Sequence, residues 1–263
     1  MLMRTWRRTT LGRTGMETGR LGIAAGYGVP ANAVEEAFER GVNYFYFGSV
    51  RRGGFATALR NLAPRRDRFL LVVQSYTRIP ALMGWSLERA LRAANTSYAD
   101  ILLLGLWNHL PSHKILGAAL KLKERGLVRH LAVSSHNRPF IPELAHHPVA
   151  EVLHVRYNAV HPGAATEVFP HLPEGSQRPG VVAFTATSWG QLLKSGKLPA
   201  GEQRPTAADC YRFALSHPAI DVCICGPSNA DQAKEALRTM ELGPMSDDEL
   251  AWMHRVGKAI HGN

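Results

Sequence analysis

Eight short apolar segments recur along this chain, and their regular spacing constrains the fold more than any other feature. They lie at 21–25, 43–47, 69–74, 100–104, 130–134, 152–156, 181–185 and 221–225, each rich in aliphatic, aromatic or β-branched residues and bounded by charge, glycine or proline. Such runs have the length and edges of buried strands. Between them run amphipathic stretches at 33–40, 86–94, 115–125, 207–216 and 230–240, with Gly41 after Arg40 and Gly126 after Arg125 placed as helix stops. A strand followed by a helix or long loop, eight times over, predicts an α/β fold of the (β/α)8 TIM-barrel type. An open doubly wound sheet is the rival, but the first strand is followed by Gly26-Tyr27-Gly28 and not by Gly-x-Gly-x-x-Gly. Residues 4–21 hold two short segments around Gly12 and Gly19, expected to form an N-terminal β-hairpin cap. The segment 246–261 opens on Asp247, Asp248 and Glu249, as a C-terminal helix would. With no linker or low-complexity stretch between these parts, a single domain spanning 1–263 is expected.

The chain has 263 residues, 45% of them hydrophobic, which is ample for a large core. Its formal charge of +10 comes mostly from arginines scattered from Arg7 to Arg238, without a basic stripe or a nucleic-acid motif. A small-molecule substrate, for which an anion is one option, is therefore expected as partner, and neither nucleic acid nor membrane. The three cysteines, Cys210, Cys223 and Cys225, are too few for a disulfide framework and read as buried free thiols in a reducing compartment. No 18-residue apolar run and no apolar leader are present, so a cytoplasmic location is expected. His109 and His113 are separated by Pro111, His146-His147 is an isolated pair, and Cys223-x-Cys225 lacks a second pair, so no metal site is expected.

The stretch Gly41-Val42-Asn43-Tyr44-Phe45-Tyr46-Phe47-Gly48-Ser49-Val50-Arg51-Arg52 runs from a helix end through an aromatic strand into a turn with two arginines. Side chains alternate along a strand, so Tyr44 and Tyr46 share one face and Phe45 and Phe47 the other. Barrel enzymes carry their chemistry at such strand ends.

Several segments together resemble an aldo/keto reductase. They are Leu11-Gly12-Arg13-Thr14-Gly15, Ala37-Phe38-Glu39-Arg40-Gly41-Val42-Asn43-Tyr44-Phe45, Ser97-Tyr98-Ala99-Asp100-Ile101-Leu102-Leu103-Leu104, Gly126-Leu127-Val128-Arg129-His130-Leu131-Ala132-Val133-Ser134-Ser135 and His217-Pro218-Ala219-Ile220-Asp221-Val222-Cys223-Ile224-Cys225-Gly226-Pro227-Ser228. The resemblance covers nearly the whole chain. It implies a TIM barrel closed at its base by the hairpin, with an extended NADP(H) or NAD(H). It also implies four catalytic positions, and the chain departs from the family at each. Tyr46 stands at the aspartate, Arg51 at the tyrosine, Gln74 at the lysine and Gly105 at the histidine. A guanidinium holds its proton beyond pH ~12 and is a poor acid, so the family's carbonyl reduction cannot operate unaltered. Tyr46 and Gln74 are both neutral and can hydrogen-bond to each other. Either they repair a core after catalysis was lost, or Tyr46 serves as the acid of a rebuilt site. Arg51 and Arg52 are a solvated loop pair or a fork for a carboxylate or phosphate. His136, just past the fifth strand, is the histidine best placed for acid–base work.

For the cofactor, the resemblance implies contacts at Ser134 and Ser135 with the nicotinamide amide, at His154 where the family often has glutamine, and at Phe184 against the nicotinamide ring. Arg156 shares its strand face with His154. The text from Gly190 to Lys197 resembles the loop that folds over the pyrophosphate. At the start of the last barrel helix, Gly226, Ser228, Gln232 and Glu235 match the phosphate and adenine end, where free N–H groups favour an anion. The expected activity is that of an NAD(P)(H)-binding oxidoreductase with an atypical site. A non-redox barrel enzyme (lyase, isomerase or cyclase) and a catalytically silent ligand-binding protein are the alternatives.

Overall fold

The computed structural model describes residues 6–48, 50–194, 196, 198 and 201–261. Arg4 and Thr5 of the expected hairpin, Ser49 of the aromatic stretch, and Ser195 and Lys197 of the expected pyrophosphate loop lie outside the described residues. A two-stranded antiparallel hairpin, β1 (Thr9–Thr10) and β2 (Glu17–Thr18), precedes the barrel. Eight parallel strands follow: β3 (Leu21–Ala24), β4 (Tyr44–Phe47), β5 (Leu70–Ser75), β6 (Ala99–Leu104), β7 (Val128–Ser135), β8 (Val152–Arg156), β9 (Gly180–Phe184) and β10 (Val222–Cys225). Each pairs with the next in chain order, and β10 pairs with β3 (Cys223 opposite Leu21, Cys225 opposite Ile23) to close the barrel. The helices are α1 (Ala31–Glu39), α2 (Gly53–Asn61), α3 (Pro80–Ala94), α4 (His113–Glu124), α5 (Ile141–His146), α6 (Ala164–Glu167), α7 (Ala207–Ser216), α8 (Ala230–Leu242) and α9 (Asp247–His261).

All eight expected strands are present within two residues of their expected ends. The helical pattern missed α2, α5 and α6. The first opens on Gly53-Gly54, which reads as a turn, and the other two span only six and four residues. α3 starts at Pro80, six residues before the periodicity suggests, because proline suits the first helical turn, where its missing N–H has no partner to lose.

Two apolar layers follow from the alternation. Leu70, Val72, Ile101, Leu103, Ala132, Val152, Val182, Val222 and Tyr44 fill the barrel interior. Phe45 and Phe47 point outward with Leu71, Val73, Leu102 and Val133 into the layer beneath the helices. Leu11, at the tip of the hairpin, is fully buried in the interior cluster and plugs the base. Gly12 needs its positive φ of 45° and its missing side chain there, since a Cβ would collide with the Pro179–Gly180 backbone.

Acidic residues organise the N-terminal rim. Asp100, Glu151 and Asp221 accept from the backbone N–H of Leu71, Leu131 and Val181 on neighbouring strands, at 2.8, 2.9 and 2.8 Å. Each carboxylate also meets a cation: Arg66 at 2.7 Å, Lys123 at 2.7 Å and Arg178 at 3.0 Å. Charge at this face serves stability, leaving the opposite rim for chemistry. The three cysteines are free and buried, as expected from the sequence. Among the described residues no helix is long and apolar enough to cross a membrane, and no cluster of histidine, cysteine and carboxylate has metal-binding form.

Candidate functional site

The inward face of the strands brings their last side chains to the C-terminal rim. β4 presents Tyr46, β5 Gln74 and β8 His154; the residues just beyond β6, β7 and β10 are Gly105, His136 and Gly226. They open into a cavity of about 920 Å³, at the upper end of the range common for small-molecule sites. Its wall includes Tyr46, Gln74, Ser134, His136, His154 and Phe184 on the barrel side. It continues past Trp189 and Arg204 to Gly226, Gln232 and Glu235. One cavity therefore joins nine of the twelve candidate site residues; Arg51, Ser135 and Ser228 stand outside the wall, as does Gly105.

Tyr46 donates its hydroxyl proton to Gln74 Oε1, the pairing their neutral replacement anticipated. Gly105 is part of the same arrangement. A Cβ there would stand 2.7 Å from Gln74 Nε2 and 2.7 Å from the Tyr76 ring. Any side chain at this position, a histidine included, therefore requires Gln74 and Tyr76 to shift. Burial first, and then the neighbouring Tyr76, hold the Tyr46 hydroxyl far above the usual phenol range. It remains protonated and serves as a donor, not as an anion.

One layer below, the Tyr44 hydroxyl lies 2.8 Å from His154 Nε2; Tyr44 is fully buried, and His154 nearly so, with its remaining exposure at the cavity wall. Burial holds the imidazole down to about 3 and the phenol well above its usual range, so both stay neutral. Among the described residues Tyr44 has no other polar partner, so it donates to Nε2, and the remaining imidazole proton sits on Nδ1. The ring centroids of Tyr46 and His154 are 6.2 Å apart, which brings the two layers together across the lumen.

Ser134 and Ser135 take opposite faces of β7. Ser134 Oγ accepts from Leu106 N–H at 2.9 Å and faces the cavity. Ser135 Oγ is engaged with Asn108 Oδ1 at 3.3 Å and with Asn137 N–H at 3.1 Å, so it braces the rim loops instead. His136 is half-buried, edge-on to Phe184 with centroids 5.5 Å apart, and burial followed by Arg156 lowers its pKa. Arg51 is exposed, with φ 45°, immediately before α2. Arg52 stacks over the Phe47 ring at 4.8 Å and donates to Gly48 O. The expected arginine fork thus lies outside the cavity wall, because the chain turns into α2 there.

Beyond β9 the backbone coils tightly: Thr185, Ser188, Trp189 and Gly190 all have positive φ, from 49° to 78°. Asn158 Nδ2 holds the Thr185 carbonyl at 2.8 Å. Strain of this kind persists only where the surroundings impose it. It leaves Trp189 61% exposed at the cavity edge. At the start of α8, Asn229 caps the helix by accepting from Gln232 N–H, and Gln232 Oε1 accepts from both N–H and Oγ–H of Ser228. Glu235 binds Arg238 through Oε2 at 3.0 Å, while its buried Oε1 has no partner among the described residues. Tyr27 packs on Gly226, where any side chain would collide with its ring. Sequence reasoning missed Tyr27, Tyr76 and Arg204 as wall residues. They sit in rim loops with no motif, and only closure of the barrel brings them to the mouth.

The class this geometry defines is the (β/α)8 barrel with a hairpin across its base, in the form found in aldo-keto reductases. The solved structures similar to the chain include the aldo-keto reductase AKR11C1 from Bacillus halodurans. Its holo form is 20% identical over 97% of both chains with a TM-score of 0.78, and its apo form 19% identical over 97% of both with a TM-score of 0.74. At this identity the likeness is one of fold. No family model matches the sequence. No curated protein matches it either.

Proposed function

We propose that this barrel is an oxidoreductase that binds NADP(H) or NAD(H) and works through an atypical site of neutral hydrogen-bond donors. The observation that carries the reading is one cavity whose wall includes Tyr46, Gln74 and His154 together with Gln232 and Glu235 of α8. Its far end suits a dinucleotide chemically. The buried, unpartnered Glu235 Oε1 calls for a donor such as the amino group of adenine. Arg204 and the N-terminal turn of α8 suit phosphate. At the barrel end, the Ser134 hydroxyl and the Nδ1–H of His154 suit a carboxamide, and Phe184 offers an aromatic edge.

When bound, the dinucleotide supplies or accepts a hydride. The chain's own residues bind and orient. His154, its tautomer set by Tyr44, holds a fixed donor toward the cavity. Tyr46 and the Gln74 amide are the donors available to a carbonyl oxygen. Neither carries charge, so the site stabilises developing negative charge by dipoles and not by an acid with a lowered pKa.

A second reading is favoured by one observation: the Tyr46 proton is already committed to Gln74. On that reading the barrel binds the dinucleotide without turning over a substrate. Titrating the protein with NADPH and NADH, followed by nicotinamide fluorescence, tests both. Micromolar binding with turnover of a carbonyl panel is the expected outcome. Binding without turnover selects the second reading, and no binding at millimolar dinucleotide refutes both.

A further inference from the structure

The ends of β7 and β8 and the loop after β8 gather a basic sector beside the mouth that the site described so far does not use. Arg156 follows His154 by two residues on β8 and so leaves the strand on the same, lumen-side face. Its Cα partner on β9 is Phe184, and His136 stands at the end of β7 on its other side. His161 completes the sector, edge-on to Trp189 with centroids 6.3 Å apart. His136, Phe184 and Trp189 are cavity-wall residues, and Arg156 and His161 adjoin them from outside the wall.

We propose that this sector is an anion site centred on Arg156, which receives the carboxylate or phosphate group of a small substrate whose other end reaches Tyr46 and Gln74. The Arg156 guanidinium is half-buried and makes no hydrogen bond or ion pair among the described residues. The nearby Glu167 is taken by Arg138, Nε to Oε2 at 2.9 Å. Every titratable group that bears on Arg156 and its neighbours is a base. Burial and then Arg156 lower both His136 and His161, with His261 and Arg138 adding to His161, and burial and then Arg138 lower Arg156 itself. Both histidines are thereby kept neutral, and Arg156 faces Arg138 without a carboxylate of its own, a repulsion that a bound anion relieves. A planar guanidinium is the side chain best shaped for that anion, since it can grip two oxygens at once. The arginine fork looked for at positions 51 and 52 is therefore supplied from β8.

The substrate class follows, and for the carbonyl it rests on the oxidoreductase reading: a small oxo compound bearing a carboxylate or phosphate. The anion site itself does not depend on that reading. Calorimetric titration of the full chain with inorganic phosphate, pyruvate, neutral pyruvamide and NADPH tests it. Pyruvate and phosphate are expected to bind the wild type and to weaken about tenfold or more in Arg156→Gln, a loss in keeping with a charged hydrogen bond. Arg156→Lys, which keeps the charge and loses the fork, is expected to fall between the two. It keeps the test valid should the glutamine variant fail to fold. Pyruvamide and NADPH affinities should stay unchanged in both variants.

Absence of pyruvate and phosphate binding to the wild type, or equal binding in wild type and variants, overturns the proposal. So does a parallel loss of NADPH and pyruvate affinity, which assigns Arg156 to the cofactor's phosphates. If the wild type binds no dinucleotide while pyruvate binding still depends on Arg156, the anion site stands and the oxidoreductase reading falls.

Discussion

Lowering the pH from 7 to 5 should cost this protein stability through His154, by an amount that can be worked from the structure. The imidazole is 3% exposed, accepts the Tyr44 hydroxyl at Nε2, and is held down to about 3 by burial against an ordinary value of 6.5. Below pH 6.5 the unfolded chain takes up a proton that the folded chain refuses. Stability is therefore fully present above 6.5 and is lost progressively as pH falls toward 3. Each pH unit in that window costs about 1.4 kcal/mol, so the fall from 6.5 to 5 removes about 2 kcal/mol through this one residue. His154→Gln offers a carbonyl oxygen to the same Tyr44 hydroxyl and cannot titrate. Urea unfolding at pH 7, 6 and 5, with wild type and variant side by side, isolates the effect from the other histidines. The variant should lose about 2 kcal/mol less than the wild type between pH 7 and 5. Parallel losses in the two proteins would refute both the neutral imidazole and the tautomer derived from it.

Four further outcomes are expected. Gly105→Ala forces a Cβ against Gln74 Nε2 and the Tyr76 ring, each 2.7 Å away, and should cost about 1–3 kcal/mol in urea unfolding; an unchanged midpoint would show that the pair moves aside freely. Asp100→Ala strands Arg66, only 13% exposed at its side chain, and leaves Leu71 N–H unpaired, for a loss of about 3–5 kcal/mol. Glu151 is pulled down to about 2 by hydrogen bonds from His130, Lys123 and Leu131 that outweigh its burial, so its contribution is present above pH 4.5 and disappears as pH falls toward 2; Glu151→Gln should flatten acid unfolding over that window. Tyr46→Phe should lower any carbonyl turnover by about 10²-fold or more while dinucleotide affinity is kept, and full activity in the variant would exclude Tyr46 as the donor.

Much of the barrel was legible before folding. Period-two apolar runs are a local property, and each of the eight strands could be placed from its own residues and boundaries. The same rule separated Tyr44 and Tyr46 from Phe45 and Phe47, and it put His154 and Arg156 on one face. The short helices were not legible: α5 and α6 have too few residues to show a period, and their stability comes from packing. The Tyr46–Gln74 bond could be suggested only from the joint loss of two charges, and its link to Gly105 needed the distance between strands. Tyr76 and Arg204 carried no signal at all, because nothing local ties a loop residue to a cavity.

Arg51 and Arg156 mark the division most clearly. Local order, meaning which residues form strands, which faces they share and where helices stop, is set by the backbone's short-range sterics and by apolar periodicity, and it could be read from residue order. Where each arginine stands relative to the mouth is a long-range matter. The turn into α2 carries Arg51 out into solvent, while closure of β10 onto β3 rings the cavity with the lumen-side ends of β7, β8 and β9. That closure brings together residues over a hundred positions apart, such as Tyr44 and His154, and only the tertiary structure decides what such a pair does to each other's protons.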